Sequence, residues 1–259
     1  MAETQRLWSR EELILAFNLY LKIEFGKMHK GNPQIITLAS MIGRTPSAIS
    51  MRLVNFASLD PYHQQRGIGG LKNSGTQVQQ IWDEFFQNQE ELVFESERIL
   101  AESQNLTIEK KYDELLFDLK DLKGETKLRM VKTRVNQSVF RQIVLNNYSN
   151  KCAITGIDLP ELLFASHILP WSQHEKERLN PENGICLSAL YDRAFDKGYI
   201  GFDKDYKVLL STSLKKKKDS EYYSKYFEPV ENKILIQPIK YLPKPEFLEH
   251  HRDVIFDKR

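Results

Sequence analysis

Ser166-His167-Ile168-Leu169-Pro170-Trp171 is followed by Asn183-Gly184-Ile185-Cys186-Leu187-Ser188, and then by Tyr191-Asp192-Arg193-Ala194-Phe195-Asp196-Lys197-Gly198. Leu162 to Ile168 is apolar and partly alternating, and Ile185 to Leu187 is a short apolar run after an Asn-Gly turn signal, so the spacing predicts two short strands. Ser188 is a good N-cap, Ala189 to Lys197 has helical composition, and Gly198 stands where a left-handed C-terminal glycine belongs. Strand, strand and capped helix form one unit. Within it Asp192 and Asp196 are i and i+4, a spacing that puts both carboxylates on one helix face beside the strand carrying His167.

Two convergent carboxylates suit a hard divalent cation, Mg²⁺ or Mn²⁺ rather than zinc. A histidine with an ordinary pKa of about 6.5 can accept a proton near neutral pH. A general base beside a divalent cation is what phosphodiester hydrolysis needs, because the substrate is an anion that gains charge as it reacts. At these residues the segment resembles the HNH endonucleases, the ββα-metal nucleases, and in particular the bacterial restriction-type branch.

The resemblance implies that His167 is the general base, Asn183 the structural asparagine that orients the loop and that histidine, and Asp192 and Asp196 the metal-ligand positions. Arg193 is placed in sequence to assist at the scissile phosphate. No histidine fills the third position of the family name: Tyr191 and Asp192 occupy that neighbourhood, and Ser166 stands where some relatives carry an acidic or histidine ligand. The resemblance runs from about Lys127 to the end, through Arg134, Gln137, Phe140-Arg141, Tyr148, Cys152-Ala153-Ile154-Thr155-Gly156 and Phe247-Leu248-Glu249-His250-His251-Arg252. A lone strand histidine is usually a packed core group, and an i, i+4 aspartate pair usually a solvated face. The order His, Asn, Asp, Asp separates this chain from both. His174, in a polar loop, and His250-His251 read as surface or packing residues.

The 259 residues, 41% of them hydrophobic, suffice for two modest domains with real cores. No apolar run approaches the roughly 18 residues of a membrane span, and Met1 to Arg6 lacks a basic start followed by an apolar stretch. The expectation is a cytoplasmic protein with no membrane partner. Cys152 and Cys186 are the only cysteines, too few for a disulfide framework or a Cys-x-x-Cys knuckle, and are expected reduced.

The net charge of +2 is unevenly spread. Residues 1–94 hold nine basic and nine acidic side chains, residues 95–125 five and nine, and residues 126–259 twenty-three and seventeen. Lys127, Arg129, Lys132, Arg134 and Arg141 follow one another with no acidic residue among them, and Lys215 to Lys218 form a second basic run. Basic surface near a nuclease site neutralises phosphates whatever the sequence.

The N-terminal third reads as a helical module. Ser9 and Glu12 form a capping box ahead of the apolar face Leu13, Ala16, Phe17, Tyr20 and Leu21. A second helix fits Gln34 to Ile42. Gly43-Arg44-Thr45-Pro46 turns the chain, and Thr45 caps a third helix, with Pro46 first, running to about Ala57. Helix, glycine-bearing turn, helix is the helix-turn-helix pattern, in which Arg44, Ser47, Ser50, Met51 and Arg52 would meet DNA. Gly67 to Gly75 has four glycines but no Gly-Lys-Ser/Thr, so it reads as a surface loop rather than a phosphate loop.

The expected fold class is therefore α+β: a helix-turn-helix-like domain over 1–92, a helical linker over 93–126, and a ββα-metal HNH domain with added small strands over 127–259. The expected function is metal-dependent cleavage of double-stranded DNA in restriction or anti-phage defence. Phosphate contacts are expected from Lys132, Arg134 and Arg141, and a homodimer would cut both strands, since one site cuts one. A non-enzymatic DNA-binding regulator with a degenerate site is the alternative, motivated by the missing third histidine. An RNA nuclease is a weaker third, since no aromatic stacking sheet is in view.

Overall fold

A computed structural model of the chain describes residues 6–23, 25–65, 67, 75–119 and 122–258. Most of the expected Gly67 to Gly75 loop lies outside the described residues. The architecture is α+β, helices with two small antiparallel sheets, in two compact units: Met1–Val139 and Phe140–Arg259.

The first unit comprises α1 (Arg10–Lys22), α2 (Pro33–Ile42), α3 (Pro46–Leu59), α4 (Pro61–Gln65), α5 (Thr76–Phe85), α6 (Gln89–Ser103), α7 (Ile108–Lys111) and the start of α8 (Gly124–Asn147). The caps match the sequence reading. Ser9 and Glu12 exchange both bonds of a capping box, Asn32 caps α2 through the Gln34 N–H, Gly43 ends α2 at φ 63°, and Thr45 caps α3 through the Ala48 N–H. Phe17 lies at the centre of the core, stacked on Phe56 at 4.6 Å and on Trp82 at 5.0 Å between ring centroids. Burial alone would push the Glu97 carboxyl up, but the ammonium groups of Lys22 and Lys111 hold it down to about 2. That charged knot ties α6 to α1 and α7.

The second unit takes the end of α8, then β1 (Leu163–His167), β2 (Gly184–Ser188), α9 (Ala189–Asp196), β3 (Ile200–Phe202), β4 (Val208–Leu210), α10 (Thr212–Lys215), α11 (Glu221–Tyr226) and α12 (Pro245–Val254). β1 pairs antiparallel with β2 from Leu163↔Ser188 to His167↔Gly184, and β3 pairs with β4 from Ile200↔Leu210 to Phe202↔Val208. Phe140, Ile143, Val144, Cys152, Ile154, Leu163, Ile185, Leu187, Phe195 and Phe202 fill the core. Both cysteines are free and buried.

Two glycines are read differently once their neighbours are seen. Gly184 is not the bend of an Asn-Gly turn: a 3-10 turn over Pro181–Asn183 comes first, and Gly184 opens β2 in extended backbone at φ −126°. A Cβ on it would lie 2.4 Å from Val144 Cγ2 and 2.9 Å from Phe140 Cζ, so close approach of α8 is what demands glycine there. Gly198 is left-handed at φ 71° as expected, and its missing Cβ would also lie 2.2 Å from the Ile255 carbonyl oxygen. Among the described residues no helix is long and apolar enough to cross a membrane.

Candidate active site

His167 ends β1, and its imidazole is enclosed. Phe140 stacks on one face at 3.8 Å between centroids, Trp171 meets it edge-on at 5.2 Å, and Nε2 lies 2.9 Å from the carbonyl oxygen of Arg178. A carbonyl only accepts, so Nε2 carries the proton and Nδ1 of the neutral ring keeps a bare lone pair. Burial pushes the His167 pKa down to about 4, against the hydrogen bond to the Arg178 carbonyl and with the help of the Arg178 positive charge. The ring is therefore a neutral, oriented proton acceptor across the physiological range.

Asn183 is 1% exposed and holds the loop that supplies this carbonyl. Its Oδ1 accepts the Leu169 N–H at 2.8 Å, and its Nδ2 donates to Glu177 O at 3.0 Å, one residue before Arg178. The Ile168 N–H donates to the Asn183 carbonyl at 3.0 Å, locking the same corner through the main chain. Arg178 adds a side-chain tie, Nε to Trp171 O at 2.9 Å with the guanidinium over the indole.

The Asp192 carboxylate reaches β1 one residue earlier than His167. Ser166 Oγ donates to Asp192 Oδ1, joining α9 to the strand. Among the described residues no hydrogen bond links His167 itself to Asp192 or Asp196. Burial pushes the Asp192 carboxyl up, opposed by the Ser166 bond and by Arg193. Asp196, more open to solvent, is also pushed up, first by partial desolvation and then by the charge of Asp192. Arg193 is exposed and acts on both carboxyls only through its charge.

Residues 152–203 match the HNH endonuclease family. The matched segment of the HNH domain starts at the Cys152 turn, takes in β1, the loop, β2 and α9, and ends with β3, so the family resemblance of the His-Asn-Asp stretch holds there. A nuclease activity in general follows from that match. No curated protein matches the chain.

HNH nucleases generally use a divalent metal. Among the described residues no group of three or more His, Cys, Asp or Glu side chains is placed to hold one. The donors present still fit a hard cation: Asp192 and Asp196 share a helix face, the Ser166 hydroxyl bonds Asp192, and each carboxyl is destabilised as an anion until positive charge arrives. Mg²⁺ typically takes one or two carboxylates and completes its shell with water and phosphate oxygens.

The expected DNA-contact residues divide sharply. Arg44 is spent inside its unit, donating to Glu12 Oε2 at 2.8 Å and to the carbonyls of Arg6 and Leu7, with its guanidinium over Trp8 at 4.5 Å. Ser50 Oγ donates to Met28 O, Lys132 pairs with Glu91, and Arg134 pairs with Asp118 at 2.8 Å. Arg141 donates to Pro160 O and Leu163 O, bracing α8 against the start of β1. Ser47 and Met51 are exposed on α3, and Arg52 stacks over Trp8 at 4.6 Å with no carboxylate partner among the described residues. Of the second basic run, Lys215 pairs with Glu231.

Sequence reasoning missed the enclosure of His167 by Phe140, Trp171 and Arg178, whose parts come from three separate segments. His251, read as a surface or packing group, is a packing one: it is 1% exposed and stacked on Phe195 at 3.8 Å. Its only early signal was its place in an amphipathic C-terminal segment. His174 and His250, also read as surface groups, meet edge to face at 5.2 Å.

Proposed function

We propose that this protein is a metal-dependent endonuclease acting on double-stranded DNA in restriction or anti-phage defence, with His167 as general base, Asn183 holding its loop, and Asp192 and Asp196 as metal ligands. The observation that carries the reading is the tautomer of His167. With Nε2–H committed to the Arg178 carbonyl, Nδ1 is the free basic site, and burial keeps it unprotonated.

In the proposed reaction His167 Nδ1 takes a proton from the attacking water. Phe140 and Trp171 keep the ring from turning, and Asn183 fixes the carbonyl that selects its tautomer. Asp192, held by Ser166, and Asp196 would bind the cation, which when present supplies positive charge for the phosphoryl oxygens and the leaving group. Arg193, exposed beside them, adds charge toward the same phosphate. Ser47 and Arg52 on α3 are the groups most available for DNA in the first unit, because Arg44 and Ser50 are bonded within it, while Lys132 and Arg134 stand in half-exposed ion pairs that a phosphate can replace.

The test is cleavage of duplex DNAs differing in base modification, with Mg²⁺ or Mn²⁺ varied. His167→Ala is expected to lose about 10²-fold or more in rate, and chelation to abolish cutting. Equal cleavage by wild type and His167→Ala would refute the assignment of the base. A regulator with a degenerate site would bind the DNA and cut none of it.

A further inference from the structure

α12 lies beyond the matched residues 152–203, yet it meets the last turn of α9 through His251, and it and the residues after it meet the bend and β3 that follow. The His251 Nε2 lies 3.1 Å from the Phe195 carbonyl, and the two rings stack at 3.8 Å with 6° between planes. The Asp257 N–H donates to Gly198 O at 3.0 Å, the Ile255 carbonyl fills the space of the absent Gly198 Cβ, and Phe256 packs on Gly201. Arg252 Nη1 donates to Phe202 O at 2.7 Å. These contacts follow the chain from the last turn of α9 through the bend and along β3.

α9 is eight residues long, too short to hold its shape or direction unaided. Ser166 ties it from the β1 side through Asp192, in its first turn. The other end needs a second anchor, and the Phe195 carbonyl in the last turn, which takes the Gly198 N–H at 2.9 Å, keeps a second lone pair for one. His251 supplies it, at a cost: Nδ1 is buried with no partner. If filling space against Phe195 were all that was required, an apolar ring would do so without burying an unsatisfied nitrogen.

We propose that α12 is a brace for α9 and that His251 is a positioning residue, its Nε2–H fixing the Phe195 carbonyl so that the neighbouring Asp196, and Asp192 one turn back, keep their place against β1. What the carboxylates hold rests on the nuclease reading; the brace is a property of this fold by itself.

The test uses the full chain with Mn²⁺ alone as probe, near neutral pH and well below unfolding. His251→Phe keeps the stacked ring and removes the N–H, while His251→Gln restores a donor. Two quantities are read: hydrogen exchange of the α9 amides, and the Mn²⁺ concentration that half-saturates binding, followed by spin resonance. The expected result is faster exchange in His251→Phe with half-saturation raised about tenfold, the scale of losing an outer-shell partner. His251→Gln should recover most of both, and cleavage at saturating Mn²⁺ should stay within about twofold of wild type. Unchanged exchange overturns the brace, and faster exchange with unchanged half-saturation overturns the positioning role. Wild-type protein that binds no Mn²⁺ sinks the nuclease reading instead, and the brace is then decided by exchange alone.

Discussion

Replacing His251 by phenylalanine should make the second unit gain stability on the wild type as pH falls from neutral into acid. Burial, then the nearby positive groups of His250 and Arg252, outweigh the bond to Phe195 O and push the His251 pKa from 6.5 down to about 4. The unfolded chain therefore binds this proton before the folded one does. Stability from the neutral ring is intact above the unfolded pKa and is lost as pH falls from 6.5 toward 4. At about pH 4.5 the loss is roughly 2 to 3 kcal/mol, two steps of about 1.4 kcal/mol each.

Phenylalanine forfeits one hydrogen bond, about 1 kcal/mol net, but also removes the buried Nδ1 that has no partner among the described residues, a cost of about 1 to 3 kcal/mol, so the two offset near neutral pH. Phe195 O is not orphaned by the change, because the Gly198 N–H still reaches it at 2.9 Å. Between neutral pH and about pH 4.5 the variant should gain about 2 to 3 kcal/mol on the wild type. Urea unfolding followed on the indole resonance of Trp171, which lies in the second unit, measures the difference without interference from Trp8 or Trp82. His167 carries a similar acid liability, but it is common to both proteins and cancels. A difference that is the same at both pH values would refute the reasoning.

Asn183→Leu should cost about 2 to 4 kcal/mol, since it strips the Leu169 N–H of its partner and leaves the Glu177 carbonyl only the long Asn180 N–H bond at 3.4 Å; a stability loss under about 1 kcal/mol in urea would contradict that. Gly184→Ala should cost about 1 to 3 kcal/mol by overpacking against Val144 and Phe140, and adding Val144→Ala should recover part of it; thermal melts of the single and double variants, with no recovery, would show the contact to be soft. Ser166→Ala removes the hydroxyl that favours the Asp192 anion, so the Asp192 carboxyl should rise further and the acid limb of Mn²⁺-dependent cleavage move to higher pH; an unmoved limb would detach Ser166 from the metal site.

The parts of this fold that depend on neighbours in sequence were legible in it. Ser9 and Thr45 cap the helices they should, Ser188 stands at the N-cap position of α9 without a side-chain capping bond, and the β1, β2, α9 order follows from apolar periodicity and one glycine. What depends on distant segments was not. Nothing in Gly184 announces that α8 presses on it, and nothing in Arg44 and Arg141, read as DNA-contact groups, announces that their side chains bond carbonyls of their own chain. A basic residue in sequence carries the same signal whether it faces solvent or a buried carbonyl. At the site, the placement of His167 on β1, Asn183 just before β2 and the aspartates on α9 could be anticipated. The link through Ser166 and the aromatic enclosure could not, because each needs the strand register and the position of α8.

The group that selects the His167 tautomer is a main-chain carbonyl, and the group that holds that carbonyl's loop reaches another. The side chains of Ser172, Gln173, His174 and Lys176 therefore carry no share in orienting the base, and Glu175 contributes only an exposed ion pair to the Arg178 guanidinium at 3.5 Å. Such a loop is free to drift in sequence while its path is conserved, so mutational sensitivity should concentrate on Asn183 and on any proline that removes a needed N–H. Saturation mutagenesis across 172–176 would display this as a tolerant window set between two intolerant walls. A site written in backbone can change its surface, and with it what it meets, without rewriting its chemistry.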